Sequence, residues 1–225
     1  MRADGESELS GPEGEHNPGA PTRPRQAATV ILLRDGHEAG GTNELEVLLV
    51  RRTPQARFMG GVWVFPGGAV DAAEGDGDEA HRAAAVRELS EEAGVTLDDP
   101  GKLVKFSRWI TPAEVRTRFD THFFLARLPH GQEVQIDGEE CVDHRWLTPL
   151  AALEAYRAKE IVLVFPTIKH LEQLAAFACA DDLLEYARGR EVRPIQPRVV
   201  VEGEVARVLL PGEPGYDDPQ REPAA

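Results

Sequence analysis

The sequence predicts an α/β protein, a mixed β-sheet sandwiched between helices. Two observations predict it. Between residues 27 and 210, short apolar runs of strand length alternate with longer stretches of helical period. Gly, Pro and Asp punctuate the strands, whereas capping residues bracket the helices.

Residues 27–33 (AATVILL) form the first strand, with a turn expected at Arg34-Asp35-Gly36. Residues 45–51 (LEVLLVR) form a second, and residues 61–65 (GVWVF) a third that Pro66-Gly67-Gly68 closes. A helix is expected over residues 79–93, capped by Asp78 and ended by Gly94. Residues 102–110 and 122–128 read as strands. Residues 147–159 and 168–188 read as helices, the second with Thr167 as a candidate N-cap. Residues 198–210 (RVVVEGEVARVLL) read as a hairpin turning at Glu202-Gly203. The flanks differ in composition. Residues 1–26 and 216–225 carry too few large apolar side chains to offset ordering entropy and are expected to be disordered, leaving 27–215 as one domain.

Composition narrows the function. The 225 residues suffice for a sizeable core, and no apolar run approaches the roughly 20 residues that cross a bilayer. The N-terminus lacks the apolar stretch of a signal peptide and the C-terminus lacks an endoplasmic-reticulum or peroxisomal address, so the expected location is cytoplasmic. A net charge of −14 disfavours binding to a phosphate backbone, so no nucleic-acid partner is expected. Cys141 and Cys179 show no metal or disulfide pattern and read as two buried thiols. The seven His residues show no ligand spacing.

The chemistry concentrates on the acidic helix. With 100° per residue and Glu88 at zero, Glu92 falls near +40° and Glu91 near −60°. Val86, Leu89 and Ala93 form a separate apolar stripe near 100° to 160° that can pack on a sheet. Such charged faces are usually just solvated. Here, however, the carboxylates crowd one arc near the helix C-terminus, where the macrodipole disfavours anions. Oxygen-only ligands suit Mg²⁺ or Mn²⁺, and Pro66-Gly67-Gly68 offers backbone that can approach a metal or phosphate.

These residues resemble the Nudix hydrolase signature: Gly, five residues, Glu, seven residues, then Arg-Glu-apolar-x-Glu-Glu-x-Gly-apolar. Arg87-Glu88-Leu89-Ser90-Glu91-Glu92-Ala93-Gly94-Val95 matches its second half, and seven residues separate Glu79 from Arg87. The departure lies upstream, where ten residues separate Gly68 from Glu79 instead of five. The resemblance implies an α/β/α sandwich and metal-dependent hydrolysis of a small-molecule diphosphate. It implies Glu88, Glu91 and Glu92 as metal ligands with the Gly68 carbonyl, Arg87 as the residue that holds them, and Glu79 as its partner. Glu88, Glu91, Glu139 and Glu140 stand as candidate general bases. A homodimer is common among such enzymes.

Upstream, residues 48–57 (LLVRRTPQAR) running into Phe65-Pro66-Gly67-Gly68 resemble the motif of coenzyme A diphosphatases, with Arg52 and Arg57 at its two arginines. Ala56 and Met59 depart from it. Trp109-Ile110-Thr111-Pro112, residues 118–124 (RFDTHFF), Lys159-Glu160-Ile161 and residues 209–213 (LLPGE) look like the peroxisomal branch of those enzymes, without its peroxisomal tail. That branch implies cleavage of coenzyme A or acyl-coenzyme A to 3′,5′-ADP and (acyl-)phosphopantetheine. Arg52, Arg57 and Arg118 are the candidate phosphate-binding residues, although a plain surface rim explains such arginines equally well. Trp109, Phe119, Phe123 and Phe124 read first as core. The alternatives are a diphosphatase for ADP-ribose, NADH or dinucleoside polyphosphates, and a non-catalytic nucleotide-binding module of the same fold.

Overall fold

The computed structural model describes residues 17, 20–37, 43–56, 59–202 and 205–217. Strands β1 (Arg25–His37) and β2 (Asn43–Arg52) pair antiparallel, with Leu33 opposite Val47. They are followed by β3 (Trp63–Val64), β4 (Gly67–Ala69), helix α1 (Gly77–Ala93), β5 (Val104–Ile110), β6 (Phe119–Arg127) and β7 (Cys141–Leu147). Helices α2 (Pro149–Arg157), α3 (Phe165–Leu174) and α4 (Ala180–Arg188) come next, then β8 (Pro194–Ile195), β9 (Arg198–Glu202) and β10 (Val205–Leu209).

The main sheet runs β3-β2-β1-β6-β5-β8, with β4 paired to β1 and β7 to β2. It is mixed: β1 and β6 are parallel, while β2 and β5 are antiparallel to their inner neighbours. Both faces are covered, which is why its central strands read as unbroken apolar runs. Alternate residues serve opposite layers. Ala28, Val30, Leu32, Leu48 and Val50 pack under α1 with Ala84, Ala85, Leu89 and Ala93. Ile31, Leu33, Val47 and Leu49 pack on the other side, with Leu153 of α2, Leu171 of α3 and Leu183 of α4. The result is the expected α/β/α sandwich. Trp109, Phe123 and Phe124 belong to its core.

Several local expectations are corrected. Arg34, Asp35 and Gly36 continue β1, opposite Glu46, Leu45 and Glu44, rather than turning. The helix expected over 168–188 is two helices. The ends of β1 and β2 hold the break: Asp35 Oδ1 accepts the Ala180 amide at 2.9 Å, and the Leu45 amide donates to the Ala178 carbonyl at 3.0 Å. Val164, not Thr167, is the N-cap of α3, and Thr167 is buried within it. Helix α1 starts two residues early, after Asp76 instead of Asp78, and ends as expected on Gly94, whose φ is 66°. Cys141 is buried, but Cys179 is only partly so, and both are free.

The flanks are tied down further than composition suggested. Arg25 opens β1, and the Arg118 guanidinium donates to the Thr22 carbonyl at 2.7 Å. Tyr216 donates its hydroxyl to the Gln196 carbonyl, also at 2.7 Å. Gly203, the expected hairpin turn residue, lies outside the described residues. Among those described, no helix is long and apolar enough to cross a membrane.

Candidate active site

Helix α1 places its carboxylates against the loop strand β4 because its sheet-facing side is small. Ala80, Ala84, Ala85, Leu89 and Ala93 are all buried there, so the backbone comes close to the sheet. The Gly67 amide reaches Glu92 Oε2 at 2.9 Å. A Cβ built on Gly68 would collide with the Glu88 carboxylate, and one on Gly67 would strike Thr29 Cα at 2.6 Å. Backbone leaves room only for glycine at position 67, whereas a side chain at position 68 would displace the Glu88 carboxylate.

Arg87 organises the face. Its Nη1 donates to Glu88 Oε1 and to Glu91 Oε2, both at 2.9 Å, and Nη2 donates to the Ala69 carbonyl at 3.0 Å. Its Nε donates to Glu74 Oε1 at 2.9 Å. The expected partner was Glu79, and this is a correction. Glu79 lies inside α1, eight residues from Arg87, so the helix carries it roughly 12 Å along the axis. It is exposed, whereas Arg87 pairs with Glu74, Glu88 and Glu91. Glu74 instead ends a short 3₁₀ turn (Ala72–Glu74), and its carboxylate also accepts the Asp71 amide at 2.7 Å. Five residues separate Gly68 from Glu74, which is the signature's own spacing. The extra residues therefore fall between Glu74 and the Arg87 segment, not before the acidic residue.

The charges are unevenly settled. The bond to Glu74 leads the effects that raise the Arg87 pKa further. Burial would raise the Glu74 carboxyl, yet the Arg87 bond prevails and its pKa is lowered. Glu88 is raised, first by burial, with Glu91 and Glu140 adding repulsion against the pull of Arg87. Glu92 is 2% exposed and is pushed up to about 7 by burial, despite the Gly67 amide. Its nearest cation is Arg52, with Nη1 at 3.8 Å from Oε1. Glu91 remains open to solvent at 59% side-chain exposure.

The other candidates divide. Arg52 faces Glu92, and its Nε is buried without an acceptor. Arg57 lies outside the described residues. Arg118 is buried and spends its donors on the Thr111 and Thr22 carbonyls, so it serves as a structural tie. Glu139 and Glu140 sit on a loop that Asp137 cradles by accepting the amides of Glu139, Glu140 and Cys141 at 3.0, 2.6 and 2.9 Å. The Glu140 carbonyl accepts the Thr53 amide at 2.8 Å, which ties this loop to the end of β2. Sequence reasoning missed Glu74, Asp137 and the Gly67 amide. Only Glu74 carried a readable signal, its spacing from Gly68.

Among the described residues no three His, Cys, Asp or Glu side chains already converge on one point, because Arg87 stands between Glu88 and Glu91. The donors nevertheless fit a hard divalent cation. They are oxygens only, glycine backbone cradles them, and burial holds the Glu92 carboxyl well above its usual range although Arg52 pairs with it at 3.8 Å.

A family model described as NUDIX domain matches residues 23–165. The human acyl-coenzyme A diphosphatase NUDT19 is 26% identical, over 87% of this chain and 81% of that protein. Putative nudix hydrolase 7 of Caenorhabditis elegans is 27% identical, over 78% of this chain and 68% of its own length. The crystal structure of a NUDIX hydrolase from Alicyclobacillus acidocaldarius superposes with a TM-score of 0.65 at 28% identity, covering 73% of this chain and 96% of that one.

Two predictions follow from the site's charges. Glu74→Gln is expected to lower kcat/KM about tenfold or more, the scale of a lost charged hydrogen bond, while Glu79→Gln stays within about twofold; equal losses would return the pairing to Glu79. For Glu92, the folded state keeps its proton up to about 7, whereas the unfolded chain releases it near 4.5. Stability measured in chelator should therefore fall as pH rises from 4.5 to about 7 and stay low above that, by at most about 3 kcal/mol. Denaturant unfolding at about pH 8 should show Glu92→Gln more stable than the parent, with the gap closing toward pH 4.5. Coincident curves at both pH values would refute the strained carboxylate.

Proposed function

This chain belongs to the Nudix hydrolase family and is a diphosphatase, and we propose that it acts on coenzyme A-type diphosphates with Mg²⁺ or Mn²⁺, giving 3′,5′-ADP and (acyl-)phosphopantetheine. The observation that supports the metal-dependent reading most is the buried Glu92 carboxylate, which accepts the Gly67 amide and whose ion-pair partner among the described residues, Arg52, stands 3.8 Å away. Similarity to the human acyl-coenzyme A diphosphatase over 87% of the chain supports the substrate class.

In this reading Glu88, Glu91 and Glu92, with the Gly68 carbonyl, are the metal ligands. A divalent cation there supplies charge neutralisation to the diphosphate oxygens. Arg87 keeps Glu88 and Glu91 at fixed spacing, and its bond to Glu74 fixes Arg87 in turn. Arg52 offers its free Nε–H to a phosphate oxygen, a charge-assisted bond suited to that acceptor. The reaction adds water to one phosphorus and breaks the P–O–P bridge. The proton from that water passes to a carboxylate, for which Glu88, Glu91, Glu139 and Glu140 are the candidates.

The test is product identification by mass after incubation with coenzyme A and Mg²⁺. The expected products are 3′,5′-ADP and phosphopantetheine, with turnover abolished by Glu91→Gln. Cleavage of ADP-ribose or NADH with coenzyme A left intact would overturn the substrate assignment.

A further inference from the structure

The reaction described above uses Arg52 and leaves its neighbour unexplained. Arg51 alternates to the opposite face of β2 and lies over the Trp63 ring, with Cζ 5.9 Å from its centroid. Arg145, on β7, approaches the same ring to 4.8 Å. Trp63 is only 3% exposed, so the indole is a buried floor beneath two guanidiniums. No carboxylate among the described residues pairs with either one, and Arg51 Nε is buried without an acceptor. Asp143 stands opposite Arg51 in the strand register, but its Oδ1 accepts the His144 amide at 2.9 Å.

Such an arrangement is costly without an anion. Like charges share one apolar surface, and a buried N–H lacks the acceptor that such donors almost always find. In a chain of net charge −14, no carboxylate of the described residues comes within ion-pair distance of these guanidiniums. Planar guanidinium forks match phosphate oxygens, and two forks match a dianion.

The position links this pair to the catalytic face. Arg51 precedes Arg52, whose Nη1 lies 3.8 Å from Glu92. Trp63 is four residues from Gly67, whose amide holds Glu92, and four residues span at most roughly 14 Å. A ligand that meets both sites carries its diphosphate at the carboxylates and a second phosphate around the end of β2. We propose that Arg51 and Arg145 form a second phosphate subsite, which takes the 3′-phosphate monoester of a coenzyme A-type substrate. The identity of that ligand rests on the coenzyme A reading above. The subsite makes the enzyme selective, because a diphosphate lacking the monoester leaves both guanidiniums unpaired.

The test compares kcat/KM for coenzyme A and dephospho-coenzyme A in the parent, Arg51→Ala, Arg51→Lys and Arg145→Ala. The parent should prefer coenzyme A by about tenfold or more, the worth of one charged hydrogen bond. Both alanine variants should bring that preference close to unity, mainly through KM, and Arg51→Lys should retain part of it. No preference in the parent, or an undiminished one in both alanine variants, overturns the subsite. A second measurement separates this from failure of the substrate reading: adenosine 3′,5′-bisphosphate and 5′-AMP are compared as inhibitors of whichever diphosphate is cleaved. Stronger inhibition by the bisphosphate, lost in Arg51→Ala and Arg145→Ala, sustains the subsite even if coenzyme A is not hydrolysed. Equal inhibition of the parent by both overturns it.

Discussion

The active face depends on one guanidinium. Arg87 donates to Glu74, Glu88, Glu91 and the Ala69 carbonyl. Three carboxylates within one arc of a helix repel one another, and the helix C-terminus adds to the strain. A rigid planar fork can satisfy two of them while a third acid, Glu74, anchors the fork itself. Glu92 receives none of this relief. It is turned inward to the Gly67 amide, and burial shifts it toward neutrality. The face is thus balanced on one side and deficient in positive charge on the other.

That imbalance is made possible by packing. Alanines line the buried side of α1 and glycines form the facing strand, so helix and β4 approach closely enough for a main-chain amide to meet a side-chain carboxylate. Register then fixes the depth: Gly67 and Gly68 lie opposite Thr29 and Ala28 of β1, a strand buried on both faces. The end of β2 completes the arrangement. Arg51 and Arg52 point to opposite faces there, and the Asp137-organised loop ties onto Thr53 beside them. Arg52 therefore brings positive charge to the carboxylate face and Arg51 to the opposite face, in a chain that is otherwise strongly acidic.

Much of this was legible in the residues. The central strands announced themselves because burial on both faces demands continuous apolar runs, and the spacing of Glu88, Glu91 and Glu92 needed only helical geometry. What the sequence concealed was tertiary. The break between α3 and α4 has no proline or glycine at residues 175–179; Asp35 and Leu45, far away in sequence, hold it. Strand β7 passed unnoticed because its polar residues, Asp143, His144 and Arg145, obscure the alternation. Glu79 fits the signature by its separation from Arg87, but both lie on one helix about two turns apart, so Glu79 does not reach the guanidinium that Glu74 meets. Arg118 looked like a phosphate clamp by composition alone, yet its partners are carbonyls that no local pattern reveals.

The central claim is that the deficit around Glu92 is met by a divalent cation. Calorimetric titration of Mn²⁺ at about pH 6, in buffers of different ionisation enthalpy, tests it directly, because Glu92 must lose its proton to become a ligand. The account predicts binding with net proton release in the parent, and loss of that release in Glu92→Gln. Binding of equal strength in both proteins with no proton exchanged would contradict it.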